Sequence, residues 1–231
     1  MRTTSKHTLL AALLMMAAMF TYNKLTAEAE VSVSTSLNTD YFWRHSPVEE
    51  GINNQTDISI AQNGTYVGIW GHFPLEGKAL GDIGEVDLYL GHTFLRTVAG
   101  KEIGLSLQFT EYFFPRGDAE NERELSLAVS GAVPLSPYVM VAADLTNKGA
   151  TYAEIGVSHT VSTAHADVTL GADIGFQNSH YGQGHDEVQG FGLYATLSKA
   201  WKGFVWALTV RFDETDGDND IWGGLTAQRA L

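Results

Sequence analysis

From Val31 to the end of the chain, apolar and polar residues alternate one by one in segment after segment. In one of them, Ile103, Leu105 and Leu107 alternate with Gly104 and Ser106. A period of two is typical of a β-strand whose two faces meet different surroundings. We count about twelve such segments, near residues 31–44, 55–62, 65–73, 85–94, 102–114, 123–133, 138–145, 151–161, 166–176, 190–199, 204–213 and 220–231. No apolar run after the first segment of the chain has the length of a spanning helix, so the pattern excludes a helical membrane protein.

The links between these segments alternate between short and long. Asn63-Gly64 is the strongest of the hairpin signals, because Asn-Gly suits a two-residue turn between strands. The other short links are Leu95–Lys101, Pro134–Pro137, Ser162–His165 and Ala200–Gly203. The long polar links are His45–Asn54, Pro74–Gly84, Pro115–Asn121, Gln177–Gln189 and Glu214–Asn219, and Thr146–Ala150 is intermediate. Short turns at one end and long loops at the other predict an all-β, antiparallel up-and-down transmembrane β-barrel of about 12 strands.

Alternation alone does not say which face is inside. A soluble lipocalin-like barrel has an apolar interior, and a membrane barrel has an apolar exterior. The second arrangement is favoured because the polar faces mix Gly, Ser, Thr and acids, with almost no lysine. Aromatic residues also gather at the strand ends, as in the interfacial girdles of membrane barrels. They are Trp43, Phe73, Phe113, Phe176, Phe212 and Trp222 on the long-loop side, and Phe94, Tyr138, Trp201 and Phe204 on the turn side.

The first segment of the chain is predicted to be a secretory signal peptide. Arg2 and Lys6 precede an apolar run from Leu9 to Phe20, and Ala27-Glu28-Ala29 offers a small-residue cleavage site. The run is shorter than the roughly 20 residues of a spanning helix. We therefore expect residues 1–29 to be removed and residues 30–231 to form the barrel, in a bacterial outer membrane.

Composition excludes several classes of function. The 231 residues have a formal net charge of −13, which disfavours nucleic acid as a partner. The absence of cysteine excludes disulfides, cysteine-ligated zinc and thiol catalysis. The 24 glycines follow no collagen period. Several of them lie within strands on the predicted inner face, where we expect them to permit curvature or leave space.

Charged residues on the predicted inner face are the candidate functional residues. The acids are Asp40, Asp57, Glu85, Asp87, Glu124, Asp144, Glu154, Asp167 and Asp173, and Arg44 and Arg211 oppose them. The bases are too few to neutralise the acids, and uncompensated carboxylates need water or counter-ions. Acidic rings that line a pore favour cations. A barrel plugged by its own charged side chains remains an alternative.

Three aromatic–glycine motifs lie in the first third of the barrel. They are Asp40-Tyr41-Phe42-Trp43-Arg44, Gly64-x-Tyr66-x-Gly68-x-Trp70 and Glu85-x-Asp87-x-Tyr89-x-Gly91. They resemble motifs of the TorF-like porins, a bacterial outer-membrane protein family of unknown function. The resemblance implies an exported outer-membrane barrel with a pore function, and it supplies no catalytic residue. The chain departs from the family at His45, where glycine is usual, and at its end, Ala230-Leu231, where an aromatic residue is the usual assembly signal.

No motif points to catalysis or to a cofactor. Outer-membrane lipases and deacylases place Ser two residues from His on an outward strand face, and none of the eight histidines has Ser two residues after it. The acidic stretch Asp213–Asp220 offers oxygen ligands without the spacing of an EF-hand, which indicates an external loop. His180, His185, Asp186 and Glu187 could bind zinc or copper, but a polar loop tip is the simpler interpretation.

Our first hypothesis is therefore a porin-like channel for passive diffusion of small solutes, with a weak preference for cations. The alternatives are a non-conducting barrel whose external loops bind a partner or a divalent ion, and a soluble periplasmic lipocalin-like binder. The expected partners are outer-membrane lipid and lipopolysaccharide, the barrel-assembly machinery and small solutes. We expect no enzyme activity, no cofactor and no resident metal.

Overall fold

The computed structural model describes residues 28–76, 82–117, 119–147, 149–178, 187–215 and 218–231, with Glu187 described by its backbone alone. The predicted signal peptide lies outside these residues except for its last two positions. The described residues form twelve strands: β1 (Glu30–Trp43), β2 (Ser46–Gln62), β3 (Thr65–Pro74), β4 (Glu85–Val98), β5 (Lys101–Phe113), β6 (Glu122–Gly131), β7 (Tyr138–Asp144), β8 (Thr151–Ser162), β9 (Asp167–Gln177), β10 (Glu187–Trp201), β11 (Phe204–Thr215) and β12 (Asp218–Ala230). Across these ranges, no helix is long and apolar enough to cross a membrane.

The strands close into one barrel in which each strand is antiparallel to its neighbours in sequence. The first and last strands complete the ring, from Ser32 opposite Ala230 to Asn38 opposite Gly224. Over the length in which these two strands pair, closure leaves the sheet without an unpaired edge, which a bilayer would not tolerate. The predicted twelve-stranded up-and-down barrel is therefore confirmed, and β12 pairs with β11 on one side and with β1 on the other.

The outward face of the wall is apolar. In β11, Leu208 and Val210 are about half exposed, whereas Thr209 and Arg211, which alternate with them, point into the barrel. The same pattern recurs in the other strands. Outward-facing, exposed side chains include Ile58, Ile60, Ile69, Leu105, Leu107, Leu125, Leu127, Val139, Val141, Ile155, Leu170, Leu193, Leu197 and Leu225. The interior instead buries Asn53, His72, Glu85, Thr110, Glu124 and Asp173. This is the arrangement of a membrane barrel and the reverse of a lipocalin's.

Tyrosines on the inner face lie over glycines on the neighbouring strand. Tyr89 is directly opposite Gly68, and a Cβ added at Gly68 would lie 2.2 Å from the tyrosine hydroxyl. Tyr66 lies over Gly91 in the same pair of strands. Two further pairs repeat the arrangement elsewhere in the wall, Tyr138 over Gly156 and Tyr194 over Gly171. The space that these glycines leave is filled by tyrosine rings, so the expectation of open space there is wrong.

The predicted long link His45–Asn54 is also wrong, because β2 begins at Ser46. Trp43 pairs with Ser46, so that only Arg44 and His45 form the turn. Their φ angles are 51° and 67°, as a type I′ hairpin turn requires. The sequence predicts a loop here because polar residues occupy both faces of the segment. The segment instead forms a hairpin that leaves the wall of the barrel. The link Glu214–Asn219 likewise shortens, since β11 extends to Thr215 and β12 starts at Asp218.

The predicted aromatic girdles are partly wrong. Phe94 and Trp201 near the turns and Phe176 near the loops are exposed on the outward face. Trp43, Tyr138 and Trp222 instead face the interior, because each finds a partner there. These partners are the Tyr112 ring for Trp43, the Glu154 carboxylate for Tyr138, and the Phe42 ring and Asp213 carboxylate for Trp222.

A charge placed on the outward face should destabilise the barrel in lipid. Leu208 lies in the middle of β11, so Leu208→Arg is expected to lower the free energy of unfolding by about 2–4 kcal/mol. Leu145, in the link between β7 and β8, is equally exposed, and Leu145→Arg is the matched control with a loss near zero. Urea unfolding in lipid vesicles measures both. Equal, small losses in the two variants would show that lipid does not cover the face of Leu208.

Candidate functional site

The end of the first hairpin leaves the wall and turns into the barrel. β1 pairs with β12 only as far as Asn38, and β2 pairs with β3 only from Asn53 onward. Between these points, Thr39–Ile52 form a hairpin whose strands pair only with each other, with register irregularities that allow a bend. We call this segment the inner hairpin. Its side chains contact strands on several sides of the barrel, so it crosses the lumen near the long-loop end.

Arg44, at the tip of the inner hairpin, contacts the wall at β6 and β8. Its guanidinium Nη2 lies 2.5 Å from Glu124 Oε2, and both side chains are nearly buried. The guanidinium carbon also lies 4.2 Å from the centre of the Trp43 ring and 4.4 Å from that of Tyr152. A charge-assisted bond together with two aromatic faces holds a guanidinium firmly in place. Arg44 is thus one anchor of the tip.

His45, the second tip residue, lies against the opposite wall and is 2% exposed. Its Nδ1 is 2.9 Å from Asp213 Oδ1 in β11. Its Nε2 is 3.5 Å from Asp173 Oδ1 in β9 and 3.7 Å from Glu154 Oε2 in β8, and it has no hydrogen-bond partner in the part of the chain that the structure describes. The Thr215 hydroxyl donates to the His45 carbonyl oxygen at 2.5 Å. The tip therefore touches β8, β9 and β11 at once.

Arg211 organises the carboxylates around His45. It donates two hydrogen bonds to Asp173, at 2.9 and 2.5 Å, and its Nε donates to Asp213 Oδ2 at 2.8 Å. The Trp222 indole nitrogen also donates to Asp213, at 2.8 Å. Asp213, predicted to lie in an external acidic loop, is 1% exposed inside the barrel, so that prediction is wrong. Its place on the inner face follows from the alternation of β11, where it comes two residues after Arg211.

Tyrosine hydroxyls hold the acids on the other side of the barrel. Tyr41 of the inner hairpin donates to Glu85 at 3.0 Å, and Tyr89 donates to Asp57 at 2.6 Å. Asp87 lies two residues from Glu85 on the same face. A phenol donor satisfies a carboxylate oxygen without neutralising its charge. This side of the lumen therefore remains acidic.

The other predicted residues have more local roles. Asp144 accepts the backbone N–H groups of Thr146 and Asn147, at 2.7 and 2.8 Å, and so shapes the β7–β8 link. Asp40 accepts the N–H of Gly51 at 3.0 Å within the inner hairpin. Asp167 lies at the short-turn end of β9, away from the cluster around His45.

Glu154 accepts hydrogen bonds from two tyrosines on the inner face. The Tyr152 hydroxyl donates to it at 2.6 Å, and the Tyr138 hydroxyl also donates. It is thereby fixed beside the hairpin tip. The structure thus brings Arg44, Glu154, Asp173 and Arg211 together, and it adds His45 and Asp213, which lie in segments that the sequence predicts as loops.

A cavity of about 400 Å³ lies between the hairpin tip and the wall. Its lining combines Arg44 and His45 of the tip with Tyr194, Thr209 and Arg211 of the wall. Such a polar chamber suits water and small polar solutes. His180, His185 and Asp186 of the suggested zinc or copper group lie outside the described residues, as does the side chain of Glu187.

Loss of Arg211 should destabilise the barrel, because Asp173 and Asp213 would stay buried without their shared cation. Removing one member of a buried ion pair costs about 3–5 kcal/mol, so we expect that loss for Arg211→Gln. Lys101→Gln, at the exposed start of β5, removes the same charge and is expected to change stability by less than about 0.5 kcal/mol. Denaturant unfolding in lipid measures the free energy of unfolding of both variants. An equal loss in the two variants would contradict a special role for Arg211.

Comparison with known proteins supports the fold. An outer membrane channel from Pseudomonas putida F1 superposes with a TM-score of 0.55 at 11% identity, covering 91% of this chain and 98% of that one. The porin KdgM gives a TM-score of 0.52 at 10% identity, covering 87% and 99%. No curated protein sequence matches the chain. The resemblance to TorF-like porins stays a prediction. A family model does match the chain, over residues 23–231. The chain therefore belongs to the family described as bacterial protein of unknown function (Gcw_chp).

Proposed function

We propose that the protein is an outer-membrane, porin-like channel that lets small solutes diffuse passively and prefers cations. The observation that carries the proposal is the inverted distribution of side chains, apolar outward and charged inward. An apolar exterior needs lipid, and a charged interior needs water or counter-ions. The two solved structures of similar fold are named as an outer membrane channel and a porin. That likeness supports the same kind of function for this chain.

The charge of the interior supports the preference for cations. Among the described residues, several inward-facing acids form no ion pair with an arginine: Asp57, Glu85, Glu154 and Asp167. Arg44 pairs with Glu124, and Arg211 with Asp173 and Asp213. The excess negative charge lowers the energy of a cation in the lumen and raises that of an anion. In a wide, wet lumen this effect is weak, because water screens it.

The remaining parts of the proposal concern export and partners. We propose that residues 1–29 are cleaved as a signal peptide and that residues 30–231 are the mature barrel. The barrel would then be inserted by the barrel-assembly machinery and contact outer-membrane lipid and lipopolysaccharide. The apolar outward face, with Phe94 and Trp201 near one end and Phe176 near the other, supports this environment.

A second candidate is a barrel that does not conduct. The inner hairpin supports it, because its tip contacts β6, β8, β9 and β11 and so occupies much of the lumen at that level. In this case the loops at the same end would bind a partner or a divalent ion. The two candidates differ in a single measurable property, the passage of ions.

Planar-bilayer recordings test the proposal directly. Wild-type protein should give ion conductance above leak. Replacing Phe42–Val48 by Asn-Gly joins the paired residues Tyr41 and Glu49 through a two-residue turn and removes the tip. We expect a several-fold larger conductance for this variant, because its lumen lacks the obstruction.

The state of folding is controlled by heat-modifiable gel mobility. Absence of conductance in both folded proteins would reject the channel. Conductance in the shortened variant alone would reject an open wild-type channel and favour the plugged barrel.

The proposed preference for cations is tested separately from conductance. Asp57→Asn removes an inner-face charge, and the reversal potential in a KCl gradient should move towards zero, because the lumen attracts cations less strongly. Glu111→Gln is the matched control, since Glu111 alternates with inward-facing Thr110 on β5 and pairs with Arg123 on the outward face. An unchanged reversal potential in Asp57→Asn would contradict a preference set by the lumen acids.

A further inference from the structure

Among the described residues, one nitrogen of the His45 imidazole has a hydrogen-bond partner and the other has none. The Nδ1 atom lies 2.9 Å from Asp213 Oδ1. The Nε2 atom is the one without a partner; it is buried and points towards Asp173 and Glu154. A buried polar atom without a partner is costly in a folded protein, so its place needs an explanation.

The hydrogen bonds define which nitrogen carries the proton. The Asp213 carboxylate can only accept, so the short contact places a proton on Nδ1. The other neighbour of Nδ1, Arg211 Nη2, is more distant at 3.3 Å. Nε2 is then left with a free lone pair. Among the described residues, a proton on Nε2 instead would have no acceptor within hydrogen-bond distance, since the carboxylate oxygens of Asp173 and Glu154 are 3.5 and 3.7 Å away.

The positions of the three groups match those of metal ligands. His45, Glu154 and Asp173 can each offer one ligand atom, and these atoms lie within 4.8 Å of one another. In a tetrahedral zinc site with bonds of 2.0–2.1 Å, neighbouring ligand atoms are about 3.3 Å apart. The two distances from His45 Nε2 exceed this value by only a few tenths of an ångström. A side-chain adjustment that also brings the Glu154 and Asp173 oxygens, which lie within 4.8 Å of each other, to this spacing would complete the site.

The surroundings of His45 also match those of a metal-binding histidine. Such a histidine usually donates its other ring N–H to a carboxylate, which fixes the ring and the tautomer. Asp213 is placed to do this, and Asp213 is in turn held by Arg211 and Trp222. This observation is independent of the distances to Glu154 and Asp173.

The local charge favours a divalent cation. Glu154, Asp173 and Asp213 contribute three negative charges around His45, and Arg211 contributes one positive charge. The nearby Arg44 is balanced by Glu124. The cluster therefore has an excess of two negative charges, which a divalent ion would neutralise.

We propose that His45, Glu154 and Asp173 bind a divalent transition-metal ion such as Zn²⁺. Imidazole nitrogen together with carboxylate oxygen is a donor set suited to Zn²⁺ and its neighbours in the first transition series. The ion joins the tip of the inner hairpin to strands β8 and β9 and so fixes the hairpin across the lumen. The site does not depend on whether the barrel conducts.

Zn²⁺ titration of the chelator-treated, folded barrel in detergent tests the site. The wild type should bind one ion that is lost in His45→Ala and weakened more than about 100-fold in Glu154→Gln, because even outer partners of metal ligands contribute 10–100-fold. His159→Ala is the matched control, since His159 is exposed and lies on β8, the strand of Glu154. It should bind Zn²⁺ as the wild type does.

Thermal unfolding supplies a second readout. Zn²⁺ should raise the unfolding temperature of the wild type and of His159→Ala, and leave that of Glu154→Gln unchanged, because only a bound ion stabilises the folded state. Equal Zn²⁺ affinity in all the folded variants, as expected for an ion held by His180 and His185, would overturn the proposal. So would the absence of Zn²⁺ binding in the wild type. Neither result depends on conductance. The proposed metal site can therefore be rejected without rejecting the proposed channel, and the channel without the site.

Discussion

The hydrocarbon of a lipid bilayer can neither hydrogen-bond a backbone amide nor solvate a carboxylate. A wall of strands meets the first condition by closing on itself, as β1 and β12 do here. It meets the second by turning most of its charges inward and by pairing Glu111 with Arg123 where these two lie on the outward face. The interior of this barrel must therefore accommodate a large excess of acids over bases, and its other features are consequences of that need.

Three devices stabilise the acidic interior. Tyrosine hydroxyls donate to carboxylates, as Tyr41 does to Glu85 and Tyr89 to Asp57. Arg211 serves two carboxylates at once. The inner hairpin brings Arg44 to Glu124 and an imidazole to the acids around Arg211. The hairpin thus acts as a carrier of compensating groups as well as an obstruction, which explains why a segment so polar leaves the wall.

The inner hairpin connects the proposed channel with the proposed metal site. As an obstruction it narrows the lumen, and in the proposed channel it would limit the size of the solutes that pass. As a carrier of His45 it completes a group of nitrogen and oxygen ligands that the wall alone does not supply. A metal ion at the tip would then determine how firmly the obstruction is held.

The sequence predicts the wall well and the inner hairpin poorly. A period of two assigns Asp57, Glu85, Glu154 and Asp173 to one face, and the inward position of such residues follows from the chemistry of the opposite face. The period of two does not predict the inner hairpin, because the residues that the hairpin contacts are distant from it in sequence. His45 is 168 residues from its hydrogen-bond partner Asp213. For the same reason, the strand-end positions of Trp43 and Trp222 suggest a girdle, whereas their actual partners lie across the lumen.

The proposed arrangement places the outward face of the barrel in lipid and its inward face in water. Because the chain has no native cysteine, introduced cysteines can report the accessibility of each face to water directly. Single cysteines placed at positions 207 to 210 of β11 are exposed, in folded protein in vesicles, to a water-soluble thiol reagent. The account predicts modification at Ala207 and at Thr209, which lines the cavity beside the hairpin tip, and protection at Leu208 and Val210. Modification of Leu208 and Val210 with protection of Ala207 and Thr209 would contradict it.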